Sequence, residues 1–448
     1  MKLIYGVKDK PKFSQVIVFA IQQLLAIMAA TLVVPVIIGH GMSSVAALFG
    51  AGVGTIVYLL FTKFKSPVFL GSSFAFIGSM TAAFAGGVSM ALGYLGLIIG
   101  AILGGLVYVI IAIVVKFAGV KWINKLMPAA VVGPTVTIIG LSLAGNAIGD
   151  LQTAPAGGDA KIALVCGLVT LAVTIISSVY GKKMIKLIPF IMGILAGYAV
   201  AVIFTVIGNV AEIAELKVIN FAPFEALVAD GVSLKTFITV PDFTFVTAFK
   251  GFSELTGSYV VTLVAAYVPV AFVVFAEHLA DHKNISSIIE QDLLEEPGLH
   301  RTLLGDGVGS MAGALFGGCP NTTYGESVGC VALTGNASVV TIFTAAVGAI
   351  AIAFLAPFVA FVNSIPACVM GGVCMSLYGF IAVSGLKMTQ KVDLEQNANV
   401  FTVSVILIAG IGGLALTFGQ VTITSIACAL ILGILVNLMV NKARINKE

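Results

Sequence analysis

Two stretches interrupt the apolar segments of this chain: SPVFLGSSFAF at residues 66–76 and GGCPNTTYGE at residues 317–326. Both are poor in helix formers and rich in Gly, Ser, Thr and aromatic residues, and Pro320 with the glycine pair before it opposes a continuous helix. Two interpretations fit: residues 68–76 and 320–326 are short extended strands that enter helices in the middle of a membrane, or both stretches are loops at its surface. Irregular backbone at mid-depth must face protein or a water-lined cavity, so the first interpretation leaves main-chain donors free for a polar ligand.

The composition places nearly the whole chain in lipid. Of its residues, 59% are hydrophobic and 10% are charged, whereas a soluble domain has about 25% charged residues; the mean hydropathy is +1.12. Apolar runs of about 20 residues recur along the chain, which predicts an all-α polytopic membrane protein without a sizeable soluble domain. The six cysteines lie in apolar segments without metal-ligand spacing, so we interpret them as buried small hydrophobic residues.

The apolar runs predict about fourteen crossings. Three of them, near 67–85, 303–316 and 317–334, are short or broken by Gly, Pro, Ser and Thr. The half-polar stretch from Gly208 to Gly257 is predicted to form interfacial or amphipathic pieces. The continuous runs lie at about 14–38, 44–62, 91–115, 127–148, 162–180, 187–208, 259–284, 338–362, 366–386, 399–417 and 421–441.

Basic residues cluster in loops that fourteen crossings place on a single side of the membrane. Because Lys and Arg favour the cytoplasmic side, both termini are predicted to be cytoplasmic. This explains the net charge of +3 by topology, so nucleic-acid binding is not expected. The clusters contain Lys2, Lys8, Lys10, Lys12, Lys63, Lys65, Lys116, Lys121, Lys125, Lys182, Lys183, Lys186, Lys283, Arg301, Lys387, Lys391, Lys442, Arg444 and Lys447.

Short sequence echoes relate the two halves of the chain. Pro128-Ala-Ala-Val-Val-Gly-Pro134 recurs as Pro366-Ala-Cys-Val-Met-Gly-Gly372, each at the start of a crossing, and Ser-Ser-Phe at 72–74 has a counterpart in Thr-Thr-Tyr at 322–324. These landmarks fall at crossings three and five of each seven-crossing half. An odd number of crossings per repeat turns the second copy upside down, and inverted repeats with matched broken segments are typical of secondary transporters.

Acidic residues within the apolar segments are candidates for the functional site, because carboxylates are costly to keep in lipid. Residues 10–149 contain no Asp or Glu, whereas Glu277, Asp281, Asp306 and Glu326 lie in or beside apolar segments of the second half. Glu277 and Asp281 are four residues apart and share a helix face. Two carboxyl groups that close, away from water, do not both ionise easily, so this pair is a candidate for binding a coupling proton.

The position of each group within its segment leaves alternatives open. The apolar run stops just before Glu277, so hydropathy alone allows this residue to lie at the cytoplasmic end of its crossing. Glu326 is predicted to cap the half-helix after the second break, where a negative charge is favoured, and to bind N–H groups of a ligand. Asp306 is either a helix cap or part of a proton path, while His278 and His282 are predicted as cytoplasm-side or packing groups.

Four motifs carry a family resemblance: Leu70-Gly-Ser-Ser-Phe-Ala-Phe76, Ala276-Glu-His278, Glu296-Pro-Gly-Leu-His-Arg301 and Pro320-Asn-Thr-Thr-Tyr-Gly-Glu326. Together they resemble the nucleobase–ascorbate transporter family, also called nucleobase:cation symporter-2, over nearly the whole chain. The Thr-Tyr-Gly-Glu version is similar to the uracil permease branch, since xanthine and urate carriers typically have Gln at position 326.

The resemblance implies fourteen transmembrane segments arranged as two inverted seven-segment repeats, with short β-strands in segments 3 and 10. The repeats would be residues 1–209 and 258–448, joined by an extracellular or periplasmic connection at 210–257. A core domain would contain segments 1–4 (about 14–115) and 8–11 (about 259–362), and a gate domain segments 5–7 (about 127–208) and 12–14 (about 366–441). Homodimers are usual in the family, so a homodimer in the plasma membrane is expected.

The resemblance also implies which residues bind the substrate. The base would lie between the two strands, with Glu277 and Glu326 bonded to its ring N–H and carbonyl edge, which moves Glu277 to mid-membrane. Main-chain groups of Phe74 and Gly325 would complete the contacts. The expected substrate-binding residues are Glu277, Glu326, Phe74, Gly325, Tyr324, Ala30 and Ser73, and the expected proton-coupling residues are Glu277, Asp281 and Asp306.

Three positions depart from the family pattern. Ser327 replaces the Asn of the family signature, so any role of that amide is lost or shared. Asp281 stands where uracil permeases often have His and xanthine carriers Asp. Gln23 stands where His is common in segment 1. The last two departures weaken the choice of uracil over another base, though not the family.

These features predict a transporter rather than an enzyme: a proton-coupled symporter that imports a nucleobase, uracil first, by alternating access. The proton is the coupling ion, and no other cofactor is expected. One alternative is a xanthine or other purine permease of the same family. Another is an anion transporter or channel of the related inverted-repeat fold, which should have a basic or neutral residue where this chain has Glu326.

Overall fold

The computed structural model describes residues 3–119, 122, 126–155, 157–182, 184–418 and 421–445. Five of the basic residues that were used above for topology, Lys2, Lys121, Lys125, Lys183 and Lys447, lie outside the described residues. The structure is predominantly helical.

The first half begins with long helices and contains a single three-residue strand among its described residues. Its elements are α1 (Phe13–Ile38), α2 (Ser44–Phe61), β1 (Leu70–Ser72), α3 (Ile77–Ala83), α4 (Met90–Ala118), α5 (Ala129–Ser142), α6 (Ala144–Leu151), α7 (Ala160–Tyr180), α8 (Met184–Leu187) and α9 (Pro189–Val210).

The half-polar connection forms short helices, α10 (Ala222–Val228), α11 (Leu234–Phe237) and α12 (Thr244–Ala248). The second half then contains α13 (Gly257–Ile289), α14 (Leu299–Gly317), β2 (Asn321–Thr323), α15 (Gly325–Thr334), α16 (Val339–Ile352), α17 (Ala356–Ser364), α18 (Ala367–Thr389), α19 (Asn397–Ile411), β3 (Leu416–Phe418), β4 (Val421–Ile423) and α20 (Ser425–Ile445).

Every predicted apolar segment contains a helix, but two of the continuous segments are divided. Segment 127–148 forms α5 and α6, and segment 338–362 forms α16 and α17. Within the described ranges, eight helical stretches are long and apolar enough to cross a membrane, with α5 and α6 taken as one. The chain is therefore a multi-pass helical membrane protein.

The two broken stretches pair with each other. Strands β1 and β2 are antiparallel, and Leu70 lies opposite Thr323, while Ser72 lies opposite Asn321. Every residue of both strands is buried. The interpretation of these stretches as surface loops is therefore wrong, because a buried strand pair satisfies its main-chain groups inside the protein.

Close helix packing brings β2 next to β1. Gly309 and Gly313 of α14 are four residues apart and face α2, where a Cβ on Gly309 would lie 2.7 Å from the carbonyl oxygen of Gly54. A Cβ on Gly313 would similarly lie 2.9 Å from the carbonyl oxygen of Gly50. Small residues allow such close contact between helices in membranes. Because β1 follows α2 and β2 follows α14, this contact places the strands side by side.

The echoed proline motifs begin two helices that also pack together. Pro128 and Pro366 are the residues immediately before α5 and α18, where a missing N–H costs no helical hydrogen bond. The two helices cross tightly, since a Cβ on Gly385 would lie 2.5 Å from the carbonyl oxygen of Gly133. All six cysteines are buried and free, as predicted.

Candidate functional site

A cavity of about 360 Å³ lies where the strand pair meets α13 and α18. One wall comes from the two broken stretches and from α13, and it carries the polar groups. The opposite wall comes from α5, α9 and α18 and is mostly apolar. Residues of the polar wall are Phe74, Ala75, Glu277, Ala280, Asp281, Thr322, Thr323, Tyr324, Gly325 and Glu326.

Three carboxyl groups face this cavity: Glu277 and Asp281 from α13, and Glu326 from α15. The first two lie one helical turn apart and share a face, as their spacing predicted. Helix α13 continues past Glu277 to Ile289, so both carboxyl groups lie within one continuous helix. Polar residues begin at Glu277 and end the apolar run, but the helix continues through them.

The carboxyl group of Asp281 is tied to the second strand. The Thr323 hydroxyl donates a hydrogen bond of 2.8 Å to Asp281 Oδ2. This contact fixes the position of α13 relative to β2, and it leaves the other carboxyl oxygen of Asp281 available to the cavity.

Glu326 lies in the first turn of α15, the half-helix that begins directly after β2. The first N–H groups of a helix have no partner within it, and they favour a negative charge or an acceptor nearby. Tyr324 is the residue before the helix and offers no side-chain cap. The carboxyl group of Glu326 therefore lies at the cavity beside the first main-chain N–H groups of α15.

Tyr324 locks the two strands together beneath the cavity. Its hydroxyl donates a 2.6 Å hydrogen bond to the carbonyl oxygen of Ser72. Its ring covers Gly71, where an added Cβ would collide with the ring carbons. Only a glycine fits at position 71 with the ring in this place.

Three of the expected site residues do not line the cavity. Ala30 is fully buried in α1. Ser73 is buried, its main-chain N–H donates to the carbonyl oxygen of Pro320 at 2.9 Å, and its hydroxyl has no hydrogen-bond partner among the described residues. Asp306 lies behind β2, where it borders a separate, very small cavity that also touches Thr322.

Asp306 belongs to the interior of α14, so its interpretation as a helix cap is wrong. Helix α14 already begins at Leu299. One oxygen of Asp306, Oδ2, lies 2.6 Å from His278 Nδ1, and the other ring nitrogen of His278 lies 3.0 Å from the Thr302 hydroxyl. Oδ1 of Asp306 has no hydrogen-bond partner among the described residues.

The two histidines of α13 pack inside the protein and do not line the main cavity. Their rings stack with centroids 4.0 Å apart. His282 Nε2 lies 2.7 Å from the hydroxyl of Tyr58, which in turn contacts the hydroxyl of Ser66 at 2.6 Å. These contacts join α13 to α2 and to the start of the first broken stretch.

The apolar wall was missed by the sequence analysis. It consists of Val136, Ile139, Phe190, Leu377, Phe380, Ile381, Ser384 and Met388. The echoed proline motifs at the starts of α5 and α18 were the available signal, since these helices supply most of that wall. Side chains of this type are ordinary in a membrane helix, so their pattern does not distinguish a cavity wall from a lipid-facing surface.

Comparisons with known proteins agree with this architecture. Residues 14–419 match the xanthine–uracil permease model, described as "Permease family". The chain is 39% identical over 442 residues to the uracil permease of Bacillus caldolyticus, with 98% of this chain and 95% of that protein covered. It is 38% identical over 453 residues to the uracil permease of Bacillus subtilis (strain 168), with 99% and 96% covered.

A solved structure shows the same fold at low sequence identity. The transmembrane domain of a cyanobacterium bicarbonate transporter BicA aligns with a TM-score of 0.63 and 14% identity, and the alignment covers 96% of this chain and 98% of that one.

Proposed function

This chain belongs to the xanthine–uracil permease family, and we propose that it is a nucleobase symporter that imports uracil together with a proton across the plasma membrane. Its family is one of transporters rather than enzymes. The observation that carries the proposal is the cavity of about 360 Å³ in which Glu277 and Glu326 face the buried strand pair. Its volume is at the lower end of the roughly 300–1,000 Å³ that is usual for small-molecule sites, which suits a single small heterocycle.

The chemistry of the cavity complements a neutral, planar base. Ring N–H groups of uracil can donate to the carboxyl groups of Glu326 and Glu277, and a protonated carboxyl can donate to a ring carbonyl. The main chain at Gly325 and Phe74 supplies further donors and acceptors beside them. Of the expected residues, Tyr324 shapes the site, while Ala30 and Ser73 support it from behind.

Proton coupling is supported by the surplus of acid groups. Glu277, Asp281 and Glu326 line one cavity, and no Lys, Arg or His is among the described residues that line it. Carboxyl groups that share a site cannot all be ionised without strong repulsion, so at least one binds a proton. In this proposal Glu277 couples recognition to proton binding, Asp281 assists it, and Asp306 holds His278 behind the strand.

We propose fourteen crossings in two inverted repeats, 1–209 and 258–448, with β1 in crossing three and β2 in crossing ten. The antiparallel pairing of β1 with β2 and the packing of α5 against α18 support matched elements in the two halves. In this arrangement the core contributes the polar wall and the gate contributes the apolar wall, and movement of one against the other gives alternating access. Cytoplasmic termini and a homodimer belong to the same proposal.

A purine substrate is the second candidate, because Asp281 matches the xanthine-carrier pattern. An anion is disfavoured despite the fold shared with a bicarbonate transporter, since three carboxyl groups face the cavity. The deciding experiment is uptake of labelled uracil into proteoliposomes with an acidic exterior, with excess xanthine, guanine, 5-fluorouracil, sulfate or bicarbonate as competitors. Competition by 5-fluorouracil alone supports uracil as the substrate. Competition by xanthine or guanine supports a purine substrate. Uptake of labelled sulfate or bicarbonate in a parallel assay, without uptake of any base, would refute both.

A further inference from the structure

Three separate parts of the chain meet at the hydroxyl of Ser327. Ser327 lies in the first turn of α15, directly after Glu326. Its Oγ accepts a 3.0 Å hydrogen bond from the main-chain N–H of Phe69 and another from the side-chain amide of Gln23 on α1. All three residues are almost completely buried, so no water competes for these bonds.

The N–H of Phe69 has a special position, because it is the last donor before β1. The strand pairing ends with Leu70 opposite Thr323, so the ladder of β2 does not extend to Phe69. A buried N–H without an acceptor is strongly unfavourable, and the Ser327 hydroxyl supplies that acceptor. This bond fixes the entry of β1 against the first turn of α15, and therefore fixes the two broken stretches on either side of the cavity.

The Gln23 amide donates to the same Ser327 oxygen that accepts from Phe69, and so contacts the side chain that closes this junction. The serine side chain is short, so the longer glutamine side chain spans the distance from α1 to α15. The hydrogen bond between the two side chains joins α1 to the first turn of α15.

We propose that Gln23 and Ser327 are an interdependent positioning pair, in which the amide of Gln23 holds the Ser327 hydroxyl in place for the Phe69 N–H and thereby holds Glu326 in its substrate-binding position. Neither residue lines the cavity, so both act through the placement of Phe69 and Glu326. This inference rests on the proposed function for its transport readout, but the contact itself can be tested without transport.

The test is a double-mutant cycle of Gln23→Ala, Ser327→Asn and the combination of both, which moves the amide from α1 to α15. We expect each single change to raise the KM for the base by at least about fivefold with little change in kcat, and the combination to return it to within about twofold of the wild type. Gln22→Ala is the matched control, since the neighbouring Gln22 is buried but its side-chain oxygen has no hydrogen-bond partner among the described residues.

Hydrogen exchange of peptides that contain the Phe69 amide is the second readout. Exchange should accelerate in Gln23→Ala and return towards the wild-type rate in the combination. If the single variants do not fold but the combination does, interdependence is supported. Effects that simply add, or a combination no better than Ser327→Asn, would overturn the inference. A wild-type protein that binds no nucleobase would refute the proposed function instead, and the exchange result would still decide whether the pair is interdependent.

Discussion

The Thr323 hydroxyl lies 2.8 Å from Asp281 Oδ2, so one hydrogen bond joins the second strand to the helix that carries two of the three cavity carboxyl groups. The strand is itself paired with β1 and is followed immediately by the half-helix of Glu326. The three carboxyl groups are therefore held by a common frame, although they come from two distant parts of the second half. Any shift of the strand pair moves Glu326 relative to Glu277 and Asp281.

Replacing Thr323 by Val removes the hydroxyl and keeps the shape of the side chain. A hydrogen bond to a charged group contributes about 1.5–3 kcal/mol, so we expect uracil binding to weaken about tenfold or more while the protein stays folded. Isothermal titration with the purified protein measures this change. Thr344→Val is the control, because that hydroxyl bonds only within its own helix, to the carbonyl oxygen of Val340. Equal affinities for the two variants would contradict the role of the Asp281 contact.

Replacing Glu326 by Ala should abolish base binding without unfolding the protein. The side chain is only half-buried at the start of a helix, so its loss leaves little empty space. Two lost charge-assisted hydrogen bonds predict a Kd increase of about 100-fold or more. The measurement is stabilisation of the detergent-solubilised variant by uracil in a thermal-shift assay, with the exposed Glu254→Ala as control. Wild-type stabilisation of Glu326→Ala would remove this residue from the site.

Replacing Glu277 by Gln keeps the size of the side chain and removes its ability to bind and release a proton. We expect pH-driven accumulation of uracil in proteoliposomes to be lost, while binding weakens by less than about tenfold, because the amide still offers hydrogen bonds. Exchange of external for internal uracil at equal pH should continue. Undiminished accumulation in a pH gradient would show that the coupling proton binds elsewhere.

Replacing Gly71 by Ala should distort the strand pair. The new Cβ would collide with the ring of Tyr324, whose hydroxyl bonds to Ser72. Overpacking of a buried site costs about 1–3 kcal/mol, so we expect a lower melting temperature and weaker uracil binding together. Gly78→Ala in α3 is the control, because its Cβ would have no neighbour within 4 Å. A Gly71→Ala protein as stable as the control would show that the Tyr324 ring moves aside without cost.

The sequence predicted the parts of the site that are chemically unusual. Proline, paired glycines and hydroxyl residues are uncommon together within apolar segments, so the two broken stretches could be identified from the sequence. The carboxyl groups could be identified because charge in lipid is costly. The apolar wall carried no such signal. Residues such as Phe380 and Ile381 look like any membrane-helix residues until the packing of α18 shows which way they face.

Contacts between distant parts of the chain also could not be predicted from the sequence. Gln23 and Ser327 were each recognised as departures from a pattern, but only the fold brings them together. Asp306 was left between a cap and a proton path because Gly305, Gly307 and Gly309 surround it in the sequence. In the structure those glycines serve packing against α2 and α4, and the helix runs straight past Asp306.

The ion pair between Lys65 and Glu296 gives a pH prediction outside the membrane-spanning segments. The hydrogen bond from Lys65 and its positive charge lower the pKa of Glu296 below its ordinary value. A lowered pKa in the folded state stabilises the protein at neutral pH, and this contribution is lost as the pH falls below about 4.3, the usual pKa of Glu, and through the lower folded value. Because the Glu296 side chain is 73% exposed, solvent screens the pair and its contribution is small.

We therefore expect Glu296→Gln to lower the melting temperature at pH 7 by no more than about 1 °C, and added salt or a pH near 3 to remove even that difference. Thermal unfolding of the purified variant and wild type across this pH range measures it, with the exposed Glu295→Gln beside it as control. A large loss of stability at pH 7 that persists at low pH would mean that the Glu296 side chain supports the turn before α14 by packing rather than by its charge.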